Sequence, residues 1–232
     1  MKHILTLFFI LTVLISKAQD HSFLTLGVGY PVFLDTRNSE DPHYAYFINN
    51  KNYNLFLEKE LKFQKLTPEV SFVPGLAFSH ITENYDFEGL GGGGKADFKH
   101  KALSGYLKLL YKIDRQPEIL TDYYFGLHFG YYLHSETSGS KSSWQMNSEG
   151  GNYSSSTEID KSGKDFFHSS HIGIMAGIKP LGSRASFIQP KIELAFYPAF
   201  ATLNSYFVNG EEKKNMVQIS VSIGVGKSRK KE

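Results

Sequence analysis

The 232-residue chain has no cysteine. This excludes a disulfide framework, a cysteine-ligated zinc site, a thiol nucleophile and a lipid-modified N-terminal cysteine. Charge of one sign is also lacking: 25 Lys and Arg stand against 23 Asp and Glu, a formal net charge of +2. That balance argues against a basic surface for nucleic acid and against an acidic solvating tail. Tryptophan occurs once. Beyond the N-terminal region no stretch approaches the roughly 18 consecutive apolar residues of a spanning helix, so any residence in a membrane falls to strands. Aromatics and glycine are plentiful, with 14 Tyr, 19 Phe and 21 Gly. Together these features indicate a β-rich protein held together by something other than disulfides.

The N-terminus reads as an export signal. Lys2 and His3 precede an apolar-plus-Thr run over residues 4–15, followed by Ser16, Lys17, Ala18 and Gln19. A basic start, a short apolar segment and small residues at Ser16 and Ala18 describe a secretory signal peptide cleaved after Ala18. An apolar helix of that length reaches about 18 Å, short of the roughly 30 Å hydrocarbon core, which disfavours an anchor. Loss of Lys2 and Lys17 leaves 23 bases against 23 acids.

Period-two alternation, the mark of strands, runs through the rest. Between Tyr123 and His134, Tyr123, Phe125, Leu127, Phe129, Tyr131 and Leu133 share one face, and Tyr124, Gly126, His128, Gly130, Tyr132 and His134 the other. Near the C-terminus Val217, Ile219, Val221, Ile223 and Val225 oppose Met216, Gln218, Ser220, Ser222 and Gly224. Six further segments alternate less regularly, around Leu26, Leu57, Phe72, Leu107, Ile174 and Leu194. This makes eight strands of about ten residues, the length that a tilted strand needs to cross a bilayer. Pro74, Pro190 and Pro198 each remove a ladder donor, so bulges or strand ends are expected there. The connections alternate long and short, with Gly-rich residues 82–100 and Ser-rich residues 135–165 among the long ones. An even antiparallel barrel with both termini on one side produces that order.

The polar face decides which side is inside. A strand facing water carries mostly charged residues, whereas these faces carry Tyr, Gly, His, Ser and Gln. That composition suits a crowded lumen in which small residues make room for large neighbours. The opposite face, nearly all Leu, Ile, Val, Phe and Tyr, suits lipid, with Tyr30, Tyr111, Tyr123 and Tyr131 placed for interfacial girdles. The expected fold is an all-β, eight-stranded antiparallel up-and-down transmembrane β-barrel, with long extracellular loops and short periplasmic turns. Residues 1–18 form the signal, 19–226 the barrel and 227–232 a basic periplasmic tail.

Signal, amphipathic strands and loop asymmetry together resemble the small bacterial outer-membrane β-barrel family, of the OmpA, OmpX and PorT-like kind. The resemblance is one of pattern over nearly the whole mature chain. It implies integral residence in the bacterial outer membrane. One departure stands out: such barrels usually end on an aromatic residue, whereas Val225 occupies that place here and Lys227 to Glu232 follow.

Chemical motifs are sparse. Residues 89–95 approach a phosphate-binding loop, but Ala96 stands where the Mg²⁺-binding Ser or Thr belongs and no helical pattern follows, so a flexible loop tip is the reading. Parity gathers Glu58, Glu60, Tyr106, Lys108, Lys191, Glu193 and Tyr197 on the lumen face, where charges must pair, giving a structural polar network. Eight strands leave a lumen that side chains fill, so an open pore is not expected. His128, His134, His168 and His171 gather around one hairpin, and parity sets His134 and His171 on the lumen face near the outer rim. No Gly-x-Ser-x-Gly or His-Glu-x-x-His occurs. No catalytic residue, metal, nucleotide or other cofactor is assigned. His134, Trp144 and His171 are the outer-rim contact candidates, with Trp144 a natural anchor for a protein partner. The leading expectation is a non-enzymatic barrel that acts through its outer loops, as a binding protein or as an accessory subunit of a larger complex. The alternatives are a rim-type acyltransferase or protease and a soluble lipocalin-like barrel, which shares the strand number with the polarity reversed.

Overall fold

The computed structural model describes residues 21–34, 44–48, 51–62, 69–89, 92–113, 121–146, 152–162, 170–180, 188–204 and 211–228. The signal segment and most of the tail lie outside these. Among the described residues there are ten strands: β1 (His21–Leu34), β2 (Tyr44–Ile48), β3 (Tyr53–Lys62), β4 (Val70–Gly89), β5 (Gly92–Ile113), β6 (Asp122–Met146), β7 (Asn152–Ser162), β8 (Ser170–Lys179), β9 (Ile188–Asn204) and β10 (Glu211–Ser228).

Eight of them close a ring in the order β1, β3, β4, β5, β6, β8, β9, β10, all neighbours antiparallel. The first and last strands seal it, in register from His21↔Ser228 to Leu34↔Asn215. Closure leaves the ring without a free edge, which is what a bilayer requires of a sheet. β10 thus runs through Lys227 and Ser228, two residues into the segment read as tail, because β1 supplies partners that far. The connections β3–β4, β5–β6 and β8–β9 lie at the same end as both termini.

Facing follows the alternation. In β8, Ile172 and Ile174 are exposed at 56% and 60%, while His171, Gly173 and Met175 between them are buried. Inner glycines admit flat aromatic rings. A Cβ on Gly75 would stand 2.4 Å from the Tyr106 ring, and one on Gly130 would stand 2.2 Å from the His171 ring. Of the prolines, Pro74 interrupts the β3–β4 ladder without changing its register, since pairing stops at Glu58↔Gly75 and resumes at Leu61↔Phe72. Pro198 lies opposite the register shift between Lys214 and Met216, and Pro190 lies beyond the last β8–β9 pair, Ile178↔Ile192.

Two expectations are corrected. Residues 82–100 and 135–165 are largely strand, not loop. β4 runs to Gly89 and β5 starts at Gly92, a tight hairpin whose tip is the Gly-rich stretch. β6 continues to Met146 and pairs above the ring with β7. Both faces of this hairpin meet water, with consecutive Ser154, Ser155 and Ser156 all exposed, so no hydrophobic alternation marks it. β2 pairs with β4 on the same upper level. The second correction concerns His134. A bulge between Leu103 and Ser104 sets Leu103↔His134 beside Ser104↔Tyr132, leaving Leu133 as the extra residue. An extra residue reverses parity above it, so His134 is exposed and Ser135 and Thr137 are buried in its stead.

Candidate functional site

The lumen is crossed by one network of ion pairs. Glu58 on β3 accepts hydrogen bonds from Lys108 Nζ at 2.7 Å, Tyr106 OH at 3.0 Å and Lys191 Nζ at 3.3 Å. Lys108 on β5 also reaches Glu193 on β9 at 2.8 Å, and Glu193 accepts from Tyr124 OH at 2.9 Å. Lys191 links Glu58 to Glu60, the latter at 3.4 Å. Glu60 takes both oxygens to Lys179 Nζ, at 2.7 and 2.8 Å, and accepts from Ser71 Oγ at 3.1 Å. Three carboxylates thus face three ammonium groups, and Glu58, Glu60 and Lys191 are at most 1% exposed.

Equal and opposite charges in contact make this burial tolerable. A lone buried ion costs several kcal/mol, and geometry with extra hydrogen bonds offsets that cost only when every partner is present. The phenols of Tyr106 and Tyr124 and the hydroxyl of Ser71 supply those extra bonds. Lys108 also sits 5.1 Å from the Phe56 ring centroid, a further favourable contact for its ammonium.

Above this layer the lumen is aromatic. His128 stacks on Tyr106 at 4.8 Å and on His171 at 5.2 Å, and its Nδ1 lies 3.2 Å from Tyr197 OH. Tyr132 and Phe200 close over His171 at 5.1 and 5.0 Å. Cavities of about 20 Å³ lie against each side of the ion network. Each has room for a water molecule and none for a solute. Among the described residues no three His, Asp or Glu are grouped to hold a metal.

Of the residues singled out from sequence, Glu58, Glu60, Tyr106, Lys108, Lys191 and Glu193 meet in this one network. Lys179 and Tyr124 belong to it and were not assigned to it. Both share the lumen parity of their strands, the only signal they carried. Lys179 sits at the end of β8, where a cation reads equally well as rim. The rim candidates do not meet: His171 is buried inside, His134 is exposed outside. Trp144 is half-buried in β6, in register between Gly93 and Ser154, and not on a loop. His168 lies outside the described residues.

The outer wall is the inverse of the lumen. Leu26, Leu55, Leu76, Leu127, Leu194 and Val221 on six ring strands are exposed at 41–66%. Soluble monomers rarely expose contiguous apolar patches beyond a few hundred Å², and a soluble ligand-binding barrel has the reverse polarity. Charged inside and apolar outside is the arrangement that hydrocarbon selects.

No protein-family model matches the chain, and no curated protein matches it in sequence. Solved structures do resemble it. The attachment invasion locus protein Ail of Yersinia pestis covers 89% of this chain and 98% of its own at 11% identity, with a TM-score of 0.41. Neisserial surface protein A covers 88% and 96% at 9% identity and 0.44. The outer membrane protein OprG of Pseudomonas aeruginosa covers 90% and 95% at 14% and 0.41. The closed eight-stranded antiparallel ring, its apolar wall and its charged, filled lumen give this chain the architecture of a small membrane-spanning β-barrel.

Proposed function

We propose that the protein is an integral, non-enzymatic outer-membrane barrel that presents a rigid extracellular sheet to a partner, as a binding protein or as an accessory subunit of a larger complex. The observation that carries this reading is the upward extension of β4, β5 and β6, which are 20, 22 and 25 residues long. Roughly 9–11 residues suffice to cross the membrane, so about half of each strand stands above it. Among the described residues β7 pairs with β6 alone, and β2 with β4 alone. Each therefore offers a strand edge to which an extended peptide can add. The filled lumen disfavours transport, and rim histidines on opposite sides of the wall disfavour a shared catalytic site.

Replacing residues 141–161 by a short Gly-Ser linker tests this. The barrel should stay folded, read as heat-modified gel mobility, while co-purification of a stoichiometric partner is lost. Full retention of the partner by the shortened protein would sink the reading, as would a copurified lipid that the intact protein cleaves.

A further inference from the structure

Two ring nitrogens in the lumen are buried without a hydrogen-bond partner among the described residues: Nε2 of His128 and Nδ1 of His171. Both residues are more than nine-tenths buried, at 7% and 8% exposure. Both line the cavity of about 20 Å³ beside the upper part of the ion network. Two thioethers line the same cavity, those of Met175 and Met216. These are the two buried methionines among the described residues; Met146, at the end of β6, is exposed. The register brings the four side chains to neighbouring lumen positions. His128 is paired with Gly173 on β8, and Met175 is the next lumen residue along that strand. His171 is the next in the other direction, and its ring stacks on that of His128. Tyr197 on β9 lies over Gly173, where a Cβ would stand 2.5 Å from its ring, and is paired with Met216 on β10. Tyr197 also bears on the tautomer of His128, since its OH lies 3.2 Å from Nδ1. With Nδ1–H donating to the phenol, Nε2 bares its lone pair. A ligating imidazole is ordinarily oriented in this way, through its other nitrogen. The His171 ring is packed by aromatic contacts, and not by a hydrogen bond among the described residues. It can therefore turn about its Cβ–Cγ bond to bring Nδ1 onto a ligand.

From this juxtaposition we infer that the lumen binds a soft monovalent metal ion, Cu(I), on His128 Nε2, His171 Nδ1 and the sulfurs of Met175 and Met216. Thioether donors select Cu(I), and imidazole suits copper, whereas Zn(II) sites add thiolate or carboxylate to imidazole and the hard cations take oxygen. Charge points the same way. Glu193 is the carboxylate that lines the cavity among the described residues, and it is already held by Lys108 and Tyr124. The Lys108 ammonium is in turn matched by Glu58 and Glu193. With these charges already paired, a divalent ion would bring two uncompensated charges into a buried layer, a monovalent ion only one. A bare monovalent ion takes no more room than the water that the cavity admits. Water is the rival occupant, and it gains little from two sulfurs that accept hydrogen bonds only weakly.

The test refolds the full chain in detergent with Cu(I), kept reduced by ascorbate in the absence of air, and then challenges it with the chelator bicinchoninate. The wild type should retain one Cu(I) per chain, with sulfur and nitrogen in its first shell by X-ray absorption. Met175→Leu/Met216→Leu conserves core volume, so heat-modified gel mobility should be unchanged. Its Cu(I) affinity should fall at least about tenfold, the cost of disturbing even an outer-shell partner of a metal. Met146→Leu and His134→Gln, both at exposed positions, should leave the affinity as it is. Excess Zn(II) should not displace the Cu(I). Failure of the wild type to retain Cu(I), or undiminished affinity in the double methionine variant, overturns the inference and leaves the cavity to water. A loss at Met146 or His134 as large as in the double variant would place the ion on the surface and overturn it too. Full displacement by Zn(II) overturns the assignment to a soft ion. Should the double variant fail to fold, the first shell of the wild type decides alone: sulfur supports the site, and nitrogen and oxygen without sulfur overturn it.

Discussion

Each lumen carboxylate has its partners supplied from across the barrel, so single substitutions there act through what they leave behind. Glu58 holds Lys108, Lys191 and Tyr106 together. Glu58→Gln leaves three buried cations with two anions, and should lower stability by about 3 kcal/mol. Denaturant titration of the refolded protein in lipid vesicles measures this. Combining it with Lys191→Met, which removes the surplus charge at similar volume, should recover more than half of the loss. A double variant no better than Glu58→Gln alone would mean that the network does not act as a neutral unit. The glycines beneath the aromatic rings make a second case. Gly75→Val drives a side chain into the Tyr106 ring, which lies 2.4 Å from where the new Cβ would stand, and overpacking of this kind costs about 1–3 kcal/mol. Breakage of the Tyr106–Glu58 hydrogen bond adds to it, so the variant should unfold at lower urea than the wild type.

Elements of this protein obey two different rules. Within the ring, each strand has one face in the lumen and one in lipid, and alternation is strict. Above it, β6 and β7 are wetted on both sides and carry Ser, Gly, Thr and Lys in no alternating order. Leu133 marks the switch in β6, because its bulge reverses the parity of the β6 residues above it, while β5 keeps its own. Deleting Leu133 removes the extra residue and leaves Tyr132 and His134 in plain alternation, so His134 and Glu136 stay outward and Ser135 and Thr137 stay inward. The expected outcome is a barrel with normal heat-modified mobility whose β6–β7 extension resists limited proteolysis as the wild type does. Rapid cleavage of the extension in the deletion variant would show that Leu133 is more than an extra residue in the ladder.

The whole molecule is a rigid wall around a neutral plug. Leu127, midway along the stretch of β6 that pairs with β8 and 41% exposed, should meet hydrocarbon, and Leu127→Arg should cost about 2–4 kcal/mol in a bilayer. Gln218, 6% exposed and bonded to Asn54 and Ser220, faces the lumen. Gln218→Arg should also destabilise, through an unpaired buried cation, and a second change, Asn54→Asp, should rescue it. No such lumen partner can rescue Leu127→Arg. Urea midpoints of the variants in vesicles separate the two cases, and a harmless Leu127→Arg in inserted protein would reverse the assignment of faces.

The amino-acid sequence by itself determined the ring strands, their facing and the lumen charges. A period-two pattern with one wholly apolar face admits a single register, since a slip of one residue would exchange lipid-facing and lumen-facing sets. Glu58, Glu60, Lys108, Lys191 and Glu193 were therefore readable as one inward set before their partners were known. Only the tertiary structure decided which of them touch, because those contacts cross the lumen between strands far apart in the chain. It also brought Lys179 and Tyr124 into the network. The extension of β6 and β7 was likewise decided there, since strands wetted on both faces leave no hydrophobic period to read, whereas β5 keeps its alternation, with Ala96, Phe98 and His100 buried and Lys95, Asp97 and Lys99 exposed. So was the outward turn of His134, because a bulge is set by the pairing of Leu103 and Ser104 on a neighbouring strand and not by any residue next to the histidine.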